Sequence, residues 1–485
     1  MKNRIRHSIV TGLFITILTA CNNSPSKVTP IPVAQVIEPT PELPGEAYIS
    51  ESFEIHSAQV KYEPVLDSYL FTIETNADAA SITPTPAGKV DGAPVLGYIF
   101  ITDLLPADIG YTNVAGTVAL AVTSHPDFDD TPLWDEDNNQ QYDDDGIVYH
   151  SHWVLLEENK LATAGLAVVQ ASNSDVLTPT SPMAMYLDSP GYTILEKGDK
   201  LHVIVPVNAV KRKTNFTSKA LTAYLEVDAS GNGPLLKVER IYDQFPTELT
   251  VVNKAMVVSS NWPSLTTQAD NSSFMINGAA VDYLEEIDSL IFSVHTEGNA
   301  ATKTVNKRGQ VDGAPVVGYV FPTTIEPKNV GFKNIAEATL ALAVTTHPDF
   351  DDTPLWDENN NGNYQDDGII YHTHWVALVN DDKSAAGISV PTSLDKSNLP
   401  PTAPMSMYLD SPDFHAFAQG NLLRIIVPVQ RINGITDFKF NSLTARMNVD
   451  LSDGHPVLRV NEVFDTLSGN LSLQYSVTPK QLNDY

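Results

Sequence analysis

The chain has 485 residues, with 59 acidic against 29 basic side chains and a net charge of −30. So acidic a balance repels a phosphate backbone and gives no electrostatic hold on anionic lipid, which argues against nucleic acid and makes cations the natural partners. Cys21 is the only cysteine, so no internal disulfide braces the fold, and no segment after the N-terminus has the roughly eighteen uninterrupted apolar residues of a membrane-spanning helix.

The N-terminus reads "MKNRIRHSIVTGLFITILTAC", with Lys2, Arg4 and Arg6 ahead of an apolar run from Ile9 to Leu18. That run is too short to span a bilayer and is built like a secretory signal, over residues 1–20. The ending "LTAC" resembles the lipobox of bacterial lipoproteins, a likeness confined to about the first 21 residues. The resemblance implies removal of the signal, lipidation of Cys21 and attachment to a membrane. Asn22, where an Asp would favour the inner membrane, leans the expectation toward the outer membrane, with the body on its periplasmic or cell-surface side. Residues 21–47 then form a tether: six prolines fall between positions 22 and 46, and proline-rich chain extends at roughly 3 Å per residue.

Beyond the tether the chain repeats itself. "GKVDGAPVLGYIF" from Gly88 returns as "GQVDGAPVVGYVF" from Gly309, "SPMAMYLDSP" from Ser181 as "APMSMYLDSP" from Ala403, and "LHVIVPV" from Leu201 as "LRIIVPV" from Leu423. Two homologous domains are expected, 48–248 and 270–485, joined by a linker over 249–269. Within the first, short runs rich in Val, Ile, Tyr and Phe predict strands near Tyr69–Glu74, Val95–Ile101, Thr117–Thr123, Ile147–Leu156 and Gly165–Gln170. Further strands are predicted near Met183–Leu187, Leu201–Val207, Leu221–Val227 and Leu235–Ile241. "AEATLALAV" at Ala336 has a helical look, but its counterpart "VAGTVALAV" places Gly, Thr and Val where a helix prefers Ala, so both read as strands. The expected fold is all-β: two tandem homologous antiparallel β-sandwich domains after a Pro-rich tether.

The strongest chemical signal is a segment present twice, from His125 to Trp153 and from His347 to Trp375, with three histidines, many acids and no lysine or arginine. His150 and His152 are two apart on a predicted strand, so both project from one face. If that strand pairs with "TVALAVTSH", His125 joins them, and His347, His372 and His374 form the same set in the second copy. Three imidazoles with one open position suit copper or zinc. Six of the chain's twelve histidines occupy these matched places.

Between the histidines lie Asp127, Asp129, Asp130, Asp135, Asp137, Asn139, Asp143, Asp144 and Asp145. Their counterparts are Asp349, Asp351, Asp352, Asp357, Asn359, Asn361, Asp366 and Asp367. Like charges at this density repel unless solvated or bridged, and the oxygen donors suit calcium. "DENNNG" at Asp357 opens like an EF-hand loop, but the twelfth position is Gly368 and the first copy has Gln140 where glycine is needed, so another loop geometry is implied. Phe128, Leu133 and Trp134, matched by Phe350, Leu355 and Trp356, are apolar anchors expected of an ordered loop. Met183, Met185, Met405 and Met407 are candidate soft ligands for Cu(I), with core packing the ordinary reading; Asp188 and Asp410 are candidate extra ligands. Trp153 and Trp375 read as packing residues rather than a sugar-stacking platform.

No G-x-S-x-G, H-E-x-x-H or phosphate-loop motif and no nucleophilic cysteine is present. The reading is a lipid-anchored metal-binding protein, with copper or zinc in the histidine sites, calcium as a brace, and metal uptake or sequestration as its role. Two alternatives stand beside it: a metal-dependent hydrolase or oxidase using the histidines, with Asp127 or Asp349 as proton acceptor, and a calcium-braced adhesive module gripping polysaccharide or protein.

Overall fold

The computed structural model describes residues 43–86, 89–126, 147–170, 186–188, 192–231, 235–252, 271–306, 311–335, 337–348, 369–392, 409–410 and 414–485. The fold is all-β, with no helix of seven residues or more among them. The first half carries β1 (Ile55–Glu63), β2 (Ser68–Thr75), β3 (Pro94–Thr102), β4 (Thr117–Ser124), β5 (Tyr149–Glu158) and β6 (Leu166–Val168). It continues with β7 (Tyr186–Asp188), β8 (Thr193–Lys197), β9 (Lys200–Pro206), β10 (Asn215–Asp228), β11 (Leu235–Gln244) and β12 (Leu249–Val252). The second half carries β13 (Ile276–Leu284), β14 (Ser289–Thr296), β15 (Pro315–Pro322), β16 (Thr339–Thr346), β17 (Tyr371–Asn380), β18 (Ile388–Val390) and β19 (Leu409–Asp410). It ends with β20 (Ala416–Gln419), β21 (Leu422–Pro428), β22 (Lys439–Phe440), β23 (Leu443–Asp450), β24 (Val457–Thr466), β25 (Tyr475–Ser476) and β26 (Thr478–Lys480).

In the first half, four strands form an antiparallel sheet in the order β1-β2-β9-β8. The larger sheet closes on itself. Its strands pair β3 with β4, β4 with β5, β5 with β6, β6 with β11, β11 with β10 and β10 back with β3, a six-stranded antiparallel barrel. In the second half the order β20-β21-β14-β13-β26 makes the smaller sheet, with β26 parallel to β13, and β15, β16, β17, β18, β24 and β23 close a second ring. Closure removes the edges that an open sheet would leave unpaired.

Each half buries two cores because the barrel wall is covered on both faces. Along β3, Leu96, Tyr98 and Phe100 join Phe71 of β2 and Val203 of β9 in the core between sheet and barrel. The alternate residues Val95 and Ile99 point into the barrel with Ala119, Ala121, Val154 and Leu156. A strand buried on both faces reads as a continuous apolar run, which is why β3, β4 and β5 stand out in the sequence. Six strands enclose little space, and alanines at matched depth, Ala119 and Ala121 in one lumen and Ala341 and Ala343 in the other, fit that narrowness.

Residues Leu43–Tyr485 form one compact unit. Val65, Leu66, Leu70 and Ile204 of the first half cluster with Ile287, Ile291, Phe417 and Ile426 of the second, so the halves share an apolar contact. Three described strands of the first half were not expected: β1, β8 and β12. In β1 only Val60 is buried, and β8 lies at the far end of its sheet, so neither shows an apolar run. Leu249–Val252, placed above in the linker, is strand β12 and pairs with β10.

Candidate metal centres

The register of β4 against β5 sets Thr123 opposite His150 and Ala121 opposite His152. His125 lies two residues beyond Thr123 and therefore on the same, lumen-facing side. The three rings meet at the barrel end: centroids of His125 and His150 are 4.6 Å apart, of His150 and His152 4.5 Å, and of His125 and His152 5.7 Å. In the second half β16 and β17 set Thr345 opposite His372 and Ala343 opposite His374. There the centroid distances are 4.6, 4.4 and 5.6 Å for His347 with His372, His372 with His374, and His347 with His374.

Within each triad one ligand nitrogen from every ring lies within 4.8 Å of the others. Three nitrogens bound to one zinc or copper ion at about 2.0–2.1 Å stand roughly 3.3 Å apart, so a small contraction of side chains completes the set. His125, His152, His347 and His374 are 3–4 % exposed, so an ion held there is shielded from water. His150 and His372 are the more exposed members. His125 Nδ1 lies 3.1 Å from the Pro126 carbonyl oxygen, and His347 Nδ1 lies 3.1 Å from that of Pro348. A carbonyl only accepts, so Nδ1 carries the proton in both, and Nε2 presents its lone pair to the triad.

On the opposite strand face the tryptophans pack inward. Trp153 donates its indole N–H to the Tyr192 hydroxyl at 2.7 Å, and Trp375 lies edge-on to Phe414. The phenols of Tyr149 and Tyr371 are pushed up by burial; they donate to the carbonyls of Ile82 and Lys303 and offer no acid or base to the site.

Behind each triad lies a cavity of about 30 Å³ inside the barrel. His125 and His152 line one, His347 and His374 the other, and a threonine, Thr123 or Thr345, lies beside them. Thr345 is 4 % exposed, and its buried hydroxyl has no hydrogen-bond partner among the described residues. A buried hydroxyl left unmet costs about 1–3 kcal/mol. Within the barrel wall each threonine is paired with a glycine on the neighbouring strand, Gly97 or Gly318. A Cβ on Gly318 would sit 2.4 Å from the Val344 carbonyl oxygen and 2.9 Å from Thr345 Cα, so only glycine lets β15 approach β16 there. These threonines and glycines were not singled out from sequence, although "TSHPDF" and "TTHPDF", and "GYIF" and "GYVF", keep both at matched places.

Among the described residues the two triads are the groups of three or more histidine, cysteine or acidic side chains able to hold an ion. Strand pairing sets Asp188 opposite His152 and Asp410 opposite His374. The candidate calcium positions between 127 and 145 and between 349 and 367, with Met183, Met185, Met405, Met407 and Cys21, lie outside the described residues. No family model, curated protein or solved structure matches this chain.

Proposed function

We propose that this is a lipid-anchored metal-binding protein of the bacterial envelope that holds one copper or zinc ion in each histidine triad. The observation that carries the reading is the convergence of three buried imidazoles at one end of each barrel. Neutral imidazole is a ligand for both metals, and the proton on Nδ1 of His125 and of His347 orients each ring as a metal ligand requires. A net charge of −30 raises the local concentration of cations around the body. The acidic segments between the histidines serve in this reading as calcium braces, a role that disulfides fill in other exported proteins.

Two buried sites on one tethered body suit uptake or sequestration. Binding to the folded state alone also stabilises the barrels, because the three histidines come together only when β4 and β5, or β16 and β17, are paired. Equilibrium dialysis of the purified protein against copper, zinc and calcium, followed by elemental analysis, tests the proposal. About two tightly held transition ions per chain are expected, with a higher melting temperature. Retention of calcium alone would overturn it.

A further inference from the structure

We infer that the ion in each triad binds a small uncharged molecule of diatomic size on its inner side, inside the barrel, and that Thr123 or Thr345 donates a hydrogen bond to it. The inference rests on the metal-binding reading and names the ligand class of those sites. Three imidazoles leave a four-coordinate ion one further position. Two of the three rings in each triad border the internal cavity, so the inner side of the ion faces the lumen.

The size and chemistry of that space choose the ligand. A cavity of about 30 Å³ has room for on the order of two water-sized molecules. Away from the histidines and Thr345 the second lumen is lined by side chains such as Val316, Val320, Leu443 and Val460, which offer no hydrogen bonds. Water in a buried site needs two to four polar partners, so the deep end does not suit it. A free anion or a polar metabolite would recover only the metal bond and one hydroxyl for the hydration it loses, since the rest of the lining offers no hydrogen bonds. A small apolar molecule loses little on entering, gains the metal bond, and meets the Thr345 hydroxyl, which has no hydrogen-bond partner among the described residues. Gly318 holds this arrangement in the second barrel by letting its strand come close to the one that carries Thr345.

The test loads the full chain with Cu(I), counts the bound copper, and uses carbon monoxide as the probe, read by its infrared stretch. The expected result is one carbon monoxide per copper. Thr123→Val and Thr345→Val, which keep shape and remove the hydroxyl, should each shift the band of their own barrel without loss of copper. Ala445→Leu, which fills the second lumen, should abolish that barrel's band while its copper stays; Val320→Ile is the milder filling variant should Ala445→Leu fail to fold. Copper bound with no carbon monoxide band, or a band unmoved by both the threonine and the filling variants, overturns the inference and leaves the metal sites standing. Failure to bind copper at all would fell the metal reading, and the inference with it.

Discussion

In the second barrel Arg459 is 8 % exposed and reaches three carboxylates, Asp381 at 2.7 Å, Asp450 at 2.7 Å and Asp453 at 2.6 Å. At the matching place in the first barrel stands Lys237, paired with Asp228. The strand carrying that aspartate also differs. It is one continuous element, β10, in the first half, whereas the second half breaks it into β22 and β23 around Asn441 and Ser442, with Asn441 tied to Ser468 and Asn470 at 2.8 Å. Inside the lumen, Leu225 in the first barrel is replaced by Met447 in the second. Against these differences the triads, the threonines beside them and the facing glycines are the same, and ring distances agree to about 0.1 Å between halves. What the site needs is the register of three neighbouring strands; the rest of the barrel is free to be braced in other ways.

The largest effect expected from breaking one half is loss of its ion. His150→Ala with His152→Ala should reduce metal content from about two ions per chain to one, and His372→Ala with His374→Ala should remove the other, as read by elemental analysis. Loss of both ions from either variant would show the sites to be coupled rather than separate.

Next in size is a pH effect at two histidines that the halves do not share. His415 is held down at about 4 chiefly by burial, with Arg212 adding to the shift and Asp67 opposing it. Its folded value lies below the ordinary 6.5, so the unfolded chain takes up the proton first. Stability is therefore intact above pH 6.5 and falls as the pH drops toward 4. The loss is about 3 kcal/mol, and His415→Phe should flatten that part of the curve measured by urea unfolding. His202, lowered to about 4 by burial first and then by Lys200, Lys61 and Lys197, adds to the same slope.

The glycines separate the halves by steric room. Gly318→Ala meets backbone and should cost about 3 kcal/mol, whereas Gly97→Ala meets Thr123 Cγ2 at 3.2 Å and should cost about 1 kcal/mol. Smaller still, Arg459→Ala should lower the melting temperature more than Lys237→Ala, because it removes a cation shared by three carboxylates where Lys237 serves one. Hydrogen bonds from Ser452, with Arg459 nearby, hold Asp450 below its ordinary value, as bonds from Lys383 and Arg459 hold Asp453. The difference between the two variants should accordingly be full above about pH 4 and fade below it.

The triads were legible in the sequence because alternation on a strand puts His150 and His152 on one face, and a partner strand ending at His125 completes the set. Closure of the barrels was not. It depends on β6 pairing with β11 and β10 with β11, contacts among strands whose two apolar faces carry no mark of which face turns inward. Nor were Thr345 and Gly318 conspicuous, since a hydroxyl lacking a partner and a close approach of two strands are properties of three-dimensional packing. Edge strands such as β1 escaped notice for the opposite reason, being too exposed to leave an apolar signal.

The central claim is that each ion sits among three imidazoles. X-ray absorption at the metal edge of protein carrying two equivalents of zinc or Cu(I) measures this directly. Three imidazole nitrogens per ion are expected at about 2.0–2.1 Å, and replacing His372 and His374 should leave one ion per chain with that same three-nitrogen shell. A shell of oxygens alone, unchanged by that replacement, would contradict it.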